Sequence, residues 1–228
     1  MSYSGWELKF FDASGNFRKY QFSLIKDFVG KKVLEVGPGT GEFAKKYLLK
    51  KSEQLVLTEI SENLNQSLQK QFKDSDKEVR ILSRKIVDID EDFDTICYFD
   101  VVEHIENHEE EIHQAFKKLK KDGHLIIIVP AFNHLYSNFD KSLGHYRRYE
   151  KKFFSEFAKK NNLVCKKLFY FDIIGYFFLL VNRIINTKTQ KKVAFATFLW
   201  NLLIPISRII DKITFHSVGK SLVCILKK

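Results

Sequence analysis

Three sets of residues in this 228-residue sequence have types and spacing that could do chemistry. The first is E-V-G-P-G-T-G (35–41), in which Gly37, Gly39 and Gly41 alternate behind a carboxylate, Glu35. Such glycines admit positive φ and let backbone approach a ligand closely, and the free N–H groups of a helix start beside them can hold a small cofactor. The second is Glu59, 18 residues past Gly41; an acid about 20 residues after a glycine turn accepts the two hydroxyls of a ribose. The spacing is not that of a dinucleotide fingerprint, because position 42 holds a glutamate, which repels a pyrophosphate at a helix start. Glu35 is instead suited to accept hydrogen bonds from an amino group. The third set lies in A-F-N-H-L-Y-S-N-F-D-K-S-L-G-H-Y-R-R-Y (131–149). There His145 could take a proton from an acceptor hydroxyl, Arg147 and Arg148 could pair with a phosphate or carboxylate, and Tyr136 and Tyr146 add aromatic contact.

These residues need a particular frame. Val33, Leu34 and Val36 form a short apolar run, the pattern of a strand buried on both faces of a parallel sheet. Residues 42–49 resume helical spacing, and Leu55–Leu57 is a second apolar strand that ends at Thr58-Glu59. Strand, glycine turn, helix and strand again predict a parallel α/β sheet with ligands at the carboxyl ends of its strands. The 131–149 stretch extends from such an end and is too long for a simple connection. Asp140 within it offers Arg147 and Arg148 a second reading, an ion pair that staples the loop.

In its blocks the chain resembles the class I S-adenosylmethionine-dependent methyltransferases. The matching residues are 35–41, Glu59, Asp88 in I-V-D-I-D, F-D-T-I-C-Y-F-D-V-V-E-H-I (93–105) and L-K-K-D-G-H-L-I-I-I-V-P-A (119–131), over about residues 17–170. The resemblance implies a Rossmann-like α/β fold: a seven-stranded, mostly parallel sheet with its last strand antiparallel and helices on both faces. It also implies S-adenosylmethionine as cofactor. Glu35 and the backbone of Gly37, Gly39 and Gly41 would hold the methionine end, Glu59 the ribose, Asp88 the adenine amino group, Phe99 and Asp100 would lie beside the cofactor, and Ile60 would also belong to the cofactor-binding residues. D-I-D-E-D (88–92) also reads as a solvated acidic turn. No N-P-P-Y-like motif follows the fourth strand and no Pro-Cys nucleophile is present, so direct displacement by a positioned acceptor is the expected reaction. The H-Y-R-R-Y segment (145–149) is similar to a narrower group associated with family 2 glycosyltransferases, which implies a lipid-linked saccharide acceptor and a glycosyltransferase partner.

Composition fits one domain over 1–228, with 1–30 as an N-terminal helical cap whose apolar spacing falls at Phe17, Tyr20, Leu24, Ile25 and Phe28, behind Trp6, Phe10 and Phe11. No early segment has the basic flank and cleavage site of a signal peptide, so a cytoplasmic protein is expected. Cys97, Cys165 and Cys224 have no paired spacing and read as buried thiols. His104 and His108 stand four apart among glutamates, yet E-H-I (103–105) matches the family's cofactor-side segment without a metal, so no metal site is expected.

Charge is divided unevenly. Residues 1–150 carry 23 Lys+Arg and 25 Asp+Glu, net −2, whereas 151–228 carry 15 and 3, net +12. The basic part also holds the most apolar stretches, 173–180 and 193–206, with Asn201, Pro205 and Arg208 interrupting the longer one, so a membrane-spanning helix is not expected. Residues 163–171 and 221–226 read as the last two strands, leaving 172–218 as an apolar, basic insertion of two helices between them. Trp200 and flanking Arg183, Lys188, Lys191, Lys192, Arg208 and Lys212 suit contact with a membrane surface, on the inner face, or a lipid groove. A helical cap on the sheet or on a second subunit, giving a homodimer, needs the same apolar faces. The expected acceptor is a small or lipid-linked anionic molecule. An RNA acceptor is the rival, disfavoured because the basic segment is interleaved with Phe, Leu and Ile, and a non-catalytic adaptor is the third reading.

Overall fold

The computed structural model describes residues 8–185 and 190–228, with the side chains of 9–11 and 182–193 outside the description. Trp6, Phe10, Phe11, Arg183, Lys188, Lys191 and Lys192, singled out above, therefore lie outside the described residues or side chains.

Seven strands form one sheet: β1 (Lys32–Val36), β2 (Gln54–Thr58), β3 (Glu78–Leu82), β4 (Phe93–Phe99), β5 (Leu119–Pro130), β6 (Val164–Phe171) and β7 (Ser221–Lys227). Their order is β3-β2-β1-β4-β5-β7-β6, with β7 antiparallel to both its neighbours and the other pairings parallel. This is the expected Rossmann-like sheet.

Strand alternation builds two cores. On β5, Leu125, Ile127 and Val129 join one apolar cluster and Ile126 and Ile128 the other; on β7, Leu222, Cys224 and Leu226 oppose Val223 and Ile225 in the same way. Period-2 alternation with both sets apolar means that both faces are covered. One face packs under α5 (His108–Lys117) and α7 (Lys151–Lys160). The other packs under α2 (Gly15–Ile25) and α4 (Glu62–Phe72), together with the helix that follows β1, whose π-helical turn Ala44–Leu48 leads into α3 (Leu49–Lys51). Ahead of α2, α1 (Leu8–Ala13) lies against the glycine turn: Asp12 accepts from Thr40 Oγ1 at 2.8 Å, and Leu8 covers Gly39.

Between β5 and α7, α6 (Asn138–Leu143) is stopped at both ends by its own residues. Ser137 and Asp140 form a capping box, and Gly144 ends the helix in the left-handed conformation at φ 80°. Between β6 and β7 lie α8 (Ile173–Ile185) and α9 (Gln190–Ile213). Pro205 does not end α9; it sits exposed on the outer side, and the helix passes through it. Trp200, Ile204, Ser207 and Asp211 form the buried face of α9, at spacings of four, three and four. Phe195, Phe198, Leu202, Ile206, Ile209 and Ile213 form an exposed apolar stripe on its other side. Among the described residues, Ala194–Ile213 is long and apolar enough to cross a membrane by length and composition. Its inner face is nonetheless committed to the domain, as Phe17 packs tilted against Trp200 with centroids 4.8 Å apart and Tyr20 donates to Asp211 at 2.7 Å.

One expectation on cysteine is corrected. Cys97 and Cys224 are buried, but Cys165 is exposed, because β6 is the sheet's edge and its first residues are uncovered.

Candidate active site

Strand order reverses between β1 and β4, and the residues leaving β1, β2, β4 and β5 converge at that switch point. Gly37 follows β1 at φ 66° and donates its N–H to Thr58 O at 2.9 Å. A Cβ at this position would come within 2.8 Å of Val101, so the turn and the segment after β4 touch because Gly37 has no side chain. Glu42 at the following helix start is paired with Lys46 at 2.9 Å and Gln71 at 3.0 Å.

Below the turn lies Glu35. It is 3% exposed, its Oε2 has no hydrogen-bond partner, and burial holds its carboxyl up at about 8 against the opposing pull of Arg18. Arg18 reaches in from α2, with Nη1 2.9 Å from Gln21 Oε1 and 3.9 Å from Asp100 Oδ2, and its guanidinium 5.7 Å above the Phe43 ring. Phe99 meets Phe43 edge-on at 4.7 Å. Asp100 turns out of β4 at φ 56°.

Glu59 closes the other side. Its Oε1 accepts from Ser61 N at 2.9 Å, and its carboxylate also accepts from the backbone of Gly39 and Ile60, while burial raises its pKa. A carboxylate has about four acceptor positions, so capacity remains for hydroxyl donors. Ile60 beside it is 71% exposed, an apolar side chain standing in solvent at the mouth of the turn. Asp88 is exposed in the turn Ile86–Asp88, next to Val87, which is 53% exposed.

The 131–149 loop has a different character. Asp140 is fully buried and gathers the loop: its Oδ1 accepts from His145 Nδ1 at 3.0 Å and Arg148 Nε at 2.8 Å, and its Oδ2 accepts from Ser137 N at 2.9 Å. Burial would raise this carboxyl, but the His145 and Arg148 hydrogen bonds and charge hold it at about 2. Arg148 is itself buried and also donates to Ala131 O. Its assignment to substrate is thus replaced by the stapling alternative, because its guanidinium is enclosed among loop atoms. Arg147 donates to the Ile105 and Glu106 carbonyls, both at 3.0 Å, and lies over the Tyr146 ring. Tyr136 donates to His145 O at 2.6 Å, and Tyr146 is 54% exposed.

His145 is brought to residues that lie 41 and 42 positions earlier. Its ring meets His104 edge-on, with centroids 4.6 Å apart, and ligand atoms of Glu103, His104 and His145 all lie within 4.8 Å of one another. Glu103 is fully buried, neither carboxylate oxygen has a hydrogen-bond partner, and burial and then the Asp100 charge push its carboxyl well up. His104 is held down at about 4 by burial and by His145, and it hydrogen-bonds with the backbone of Leu143 and Gly144. His108 does not join it: His108 starts α5 and meets Tyr149 OH at 3.1 Å.

Sequence reasoning did not single out Arg18, Glu103 or Asp140 as a group around this cleft. Arg18 could have been found as the charged residue in the N-terminal helix next to buried Phe17; the meeting of Glu103 with His145 carries no local signal, since it depends on how the loop folds back.

The chain belongs to the methyltransferase-domain family, whose model matches residues 11–166. Among curated proteins none matches this sequence significantly. Solved structures are similar in fold. A methyltransferase from Bacillus halodurans superposes with a TM-score of 0.61 at 16% identity, over 92% of this chain and 97% of that one. The N-methyltransferase NodS from Bradyrhizobium japonicum, in complex with S-adenosylhomocysteine, gives 0.59 at 14%, over 93% and 87%. Coclaurine N-methyltransferase, bound to N-methylheliamine and S-adenosylhomocysteine, gives 0.61 at 17%, over 95% and 73%.

Proposed function

We propose that this protein transfers a methyl group from S-adenosylmethionine to a small or lipid-linked anionic acceptor at a membrane surface. The observation that carries the cofactor reading is Glu35: a buried carboxylate with an unpartnered oxygen, under a glycine turn at the sheet's switch point. A buried polar atom left unsatisfied costs about 1–3 kcal/mol, more when charged, so its persistence marks a place where a ligand supplies the partner. Glu35 would take the ammonium of the methionine end and Arg18 its carboxylate, Glu59 the ribose hydroxyls, and Ile60 and Asp88 the adenine.

The cofactor supplies an electrophilic methyl group on a sulfonium. What the chain contributes is alignment and a dry cleft: Phe99 and Phe43 wall it, and Leu8 and Asp12 of α1 close over the turn. A hydroxyl acceptor must also lose its proton, and the cluster of Glu103, His104 and His145 begins two residues after Val101, which meets Gly37 of the turn.

The acceptor reading is supported by the exposed apolar stripe of α9 together with the net +12 of residues 151–228. A helix with one face docked and the other apolar, on a basic segment, suits an anionic lipid surface. A glycosyltransferase acting on the same lipid-linked saccharide is the partner this reading names.

Titration with S-adenosylhomocysteine tests the cofactor half: binding to the wild type and its loss in Glu35→Ala are expected, and no binding to the wild type refutes it. Incubation with methyl-labelled S-adenosylmethionine and cell extract tests the acceptor. Label in the organic phase is expected; label in RNA overturns the acceptor, and binding without any transfer favours the adaptor reading.

A further inference from the structure

Glu103, His104 and His145 are the one place among the described residues where three metal-ligating side chains converge, and we infer that they bind a divalent first-row transition cation of the zinc type, beside the methyl-transfer cleft. Four observations carry this. Both oxygens of Glu103 are buried and without a hydrogen-bond partner, and Arg148, the cation whose charge acts on it, is spent on Asp140 and Ala131. A cation is the partner that such a carboxylate lacks.

His145 is oriented as a ligand is. His145 has its Nδ1 on the buried Asp140 carboxylate at 3.0 Å, which leaves Nε2 to bind a metal; a carboxylate or carbonyl on the far nitrogen is the usual support of a ligating imidazole. His104 hydrogen-bonds with the backbone of Leu143 and Gly144, which fixes its ring beside the cluster. Two imidazoles and one carboxylate suit zinc and its first-row neighbours better than calcium or magnesium, which prefer all-oxygen sites. Three protein ligands also leave a position open.

The support is built into the fold. Glu103 and His104 sit in the single turn Val102–His104 just after β4, and His145 follows the left-handed Gly144 that ends α6. In a tetrahedral site with bonds of about 2.0–2.1 Å, ligand atoms stand roughly 3.4 Å apart, so the present limit of 4.8 Å closes by up to about 1.4 Å on loading.

Location gives the site a task that rests on the methyl-transfer reading. Val101, two residues before Glu103, touches Gly37 of the cofactor turn. An acceptor hydroxyl on the open position would be made more acidic. Its oxygen forms the new bond to the methyl carbon as the carbon–sulfur bond breaks, the sulfonium becomes a neutral thioether, and the hydroxyl proton passes to water. In this arrangement His145 ligates and does not act as the base.

The test is calorimetric titration of the chelator-treated full-length protein with Zn2+ and, separately, Mg2+, for the wild type, Glu103→Gln, His145→Asn and Asp140→Asn. One Zn2+ per chain is expected, with affinity reduced more than about 100-fold in the first two variants and about 10–100-fold in Asp140→Asn, the span usual for a supporting partner. S-adenosylhomocysteine affinity should be unchanged in Glu103→Gln. Equal Zn2+ binding by the wild type and by variants whose circular dichroism and melting show them folded overturns the site, as does absence of binding to the wild type. Tighter Mg2+ than Zn2+ binding overturns the choice of metal. Loss of S-adenosylhomocysteine binding by the wild type would refute the methyl-transfer reading while leaving the Zn2+ titration to stand or fall alone.

Discussion

Two regions of this molecule bury carboxylates in opposite ways. In the cleft, Glu35 and Glu103 are enclosed with oxygens that nothing satisfies. At the root of α8 and α9, Asp172 and Asp211 are equally enclosed and fully engaged. Asp172 accepts from Gly175 N at 2.9 Å, Ser207 Oγ at 3.0 Å and Trp200 Nε1 at 2.8 Å, with Lys220 3.8 Å away; Asp211 accepts from Asp172 N at 2.6 Å, Ile173 N at 2.9 Å and Tyr20 OH at 2.7 Å. A buried carboxyl with all its partners holds structure together; one without them costs stability and is retained for something it binds. The difference separates the joint that anchors the α8–α9 unit from the groups that do the work.

The largest test of this contrast is Asp172→Ala. It removes the acceptor of the Trp200 indole and the Ser207 hydroxyl and the carboxylate beside Lys220 at once, and breaking one side of a buried ionic network costs about 3–5 kcal/mol. For a chain of this size the melting temperature should fall by roughly 10 °C, read by circular dichroism. A drop of only one or two degrees would mean that the joint is not what holds α8 and α9.

Glu35→Gln should act in the opposite direction. The Glu35 carboxyl titrates at about 8 in the ligand-free fold, against 4.5 for an ordinary glutamate, because it is buried. A raised acid contributes stability that is fully present below pH 4.5 and is lost as pH rises toward 8. At pH 7 the wild type therefore forgoes on the order of 3 kcal/mol relative to a neutral group there. The glutamine variant should melt higher than the wild type near neutrality and bind S-adenosylhomocysteine more weakly. An ammonium ligand should also pull the carboxyl down, so binding at pH 7 should release close to one proton per chain, measured by calorimetry in buffers of different ionisation enthalpy. No proton release would place the ammonium elsewhere.

Arg18→Ala is a smaller perturbation on the same side. A charge-assisted hydrogen bond contributes about 1.5–3 kcal/mol, so S-adenosylhomocysteine affinity should fall by at least roughly tenfold with little change in melting. Unchanged affinity would return Arg18 to its contacts with Gln21 and Asp100.

How legible these regions were follows from the range of the interactions. The sheet could be read because strand alternation and the glycine turn are local: residues 33–41 and 55–59 carry their conformation in their own order. Candidates such as Glu35 and Glu59 came with it, since Glu35 lies next to the end of β1 and Glu59 directly follows β2. The loop was harder. The pairing of Arg148 with Asp140 spans eight residues and was visible as an alternative, but the approach of His145 to Glu103 and His104 depends on where α6 stops and how β5 hands the chain back over β4. No local pattern encodes it. The same holds for α9, where apolar composition was plain but the division into a buried face at 200, 204, 207 and 211 and an exposed stripe required the partner helix α2.

That stripe gives the smallest effect on the fold and the sharpest one on location. Leu202 and Ile209 are 59% and 60% exposed on the face of α9 turned away from Trp200 and Asp211. Exposed positions remote from a network usually change stability by no more than about 0.5 kcal/mol, so Leu202→Ser with Ile209→Ser should leave melting and S-adenosylhomocysteine binding as they were. Cosedimentation with anionic vesicles should nevertheless weaken, since each buried apolar side chain contributes about 1.5–3 kcal/mol when it leaves water, and high salt should weaken it further by screening Arg208, Lys212 and the other basic residues of this segment. If the wild type does not sediment with such vesicles at low salt, the stripe faces another protein surface. The contrast would then survive at the joint and in the cleft, but the acceptor would no longer be tied to a membrane.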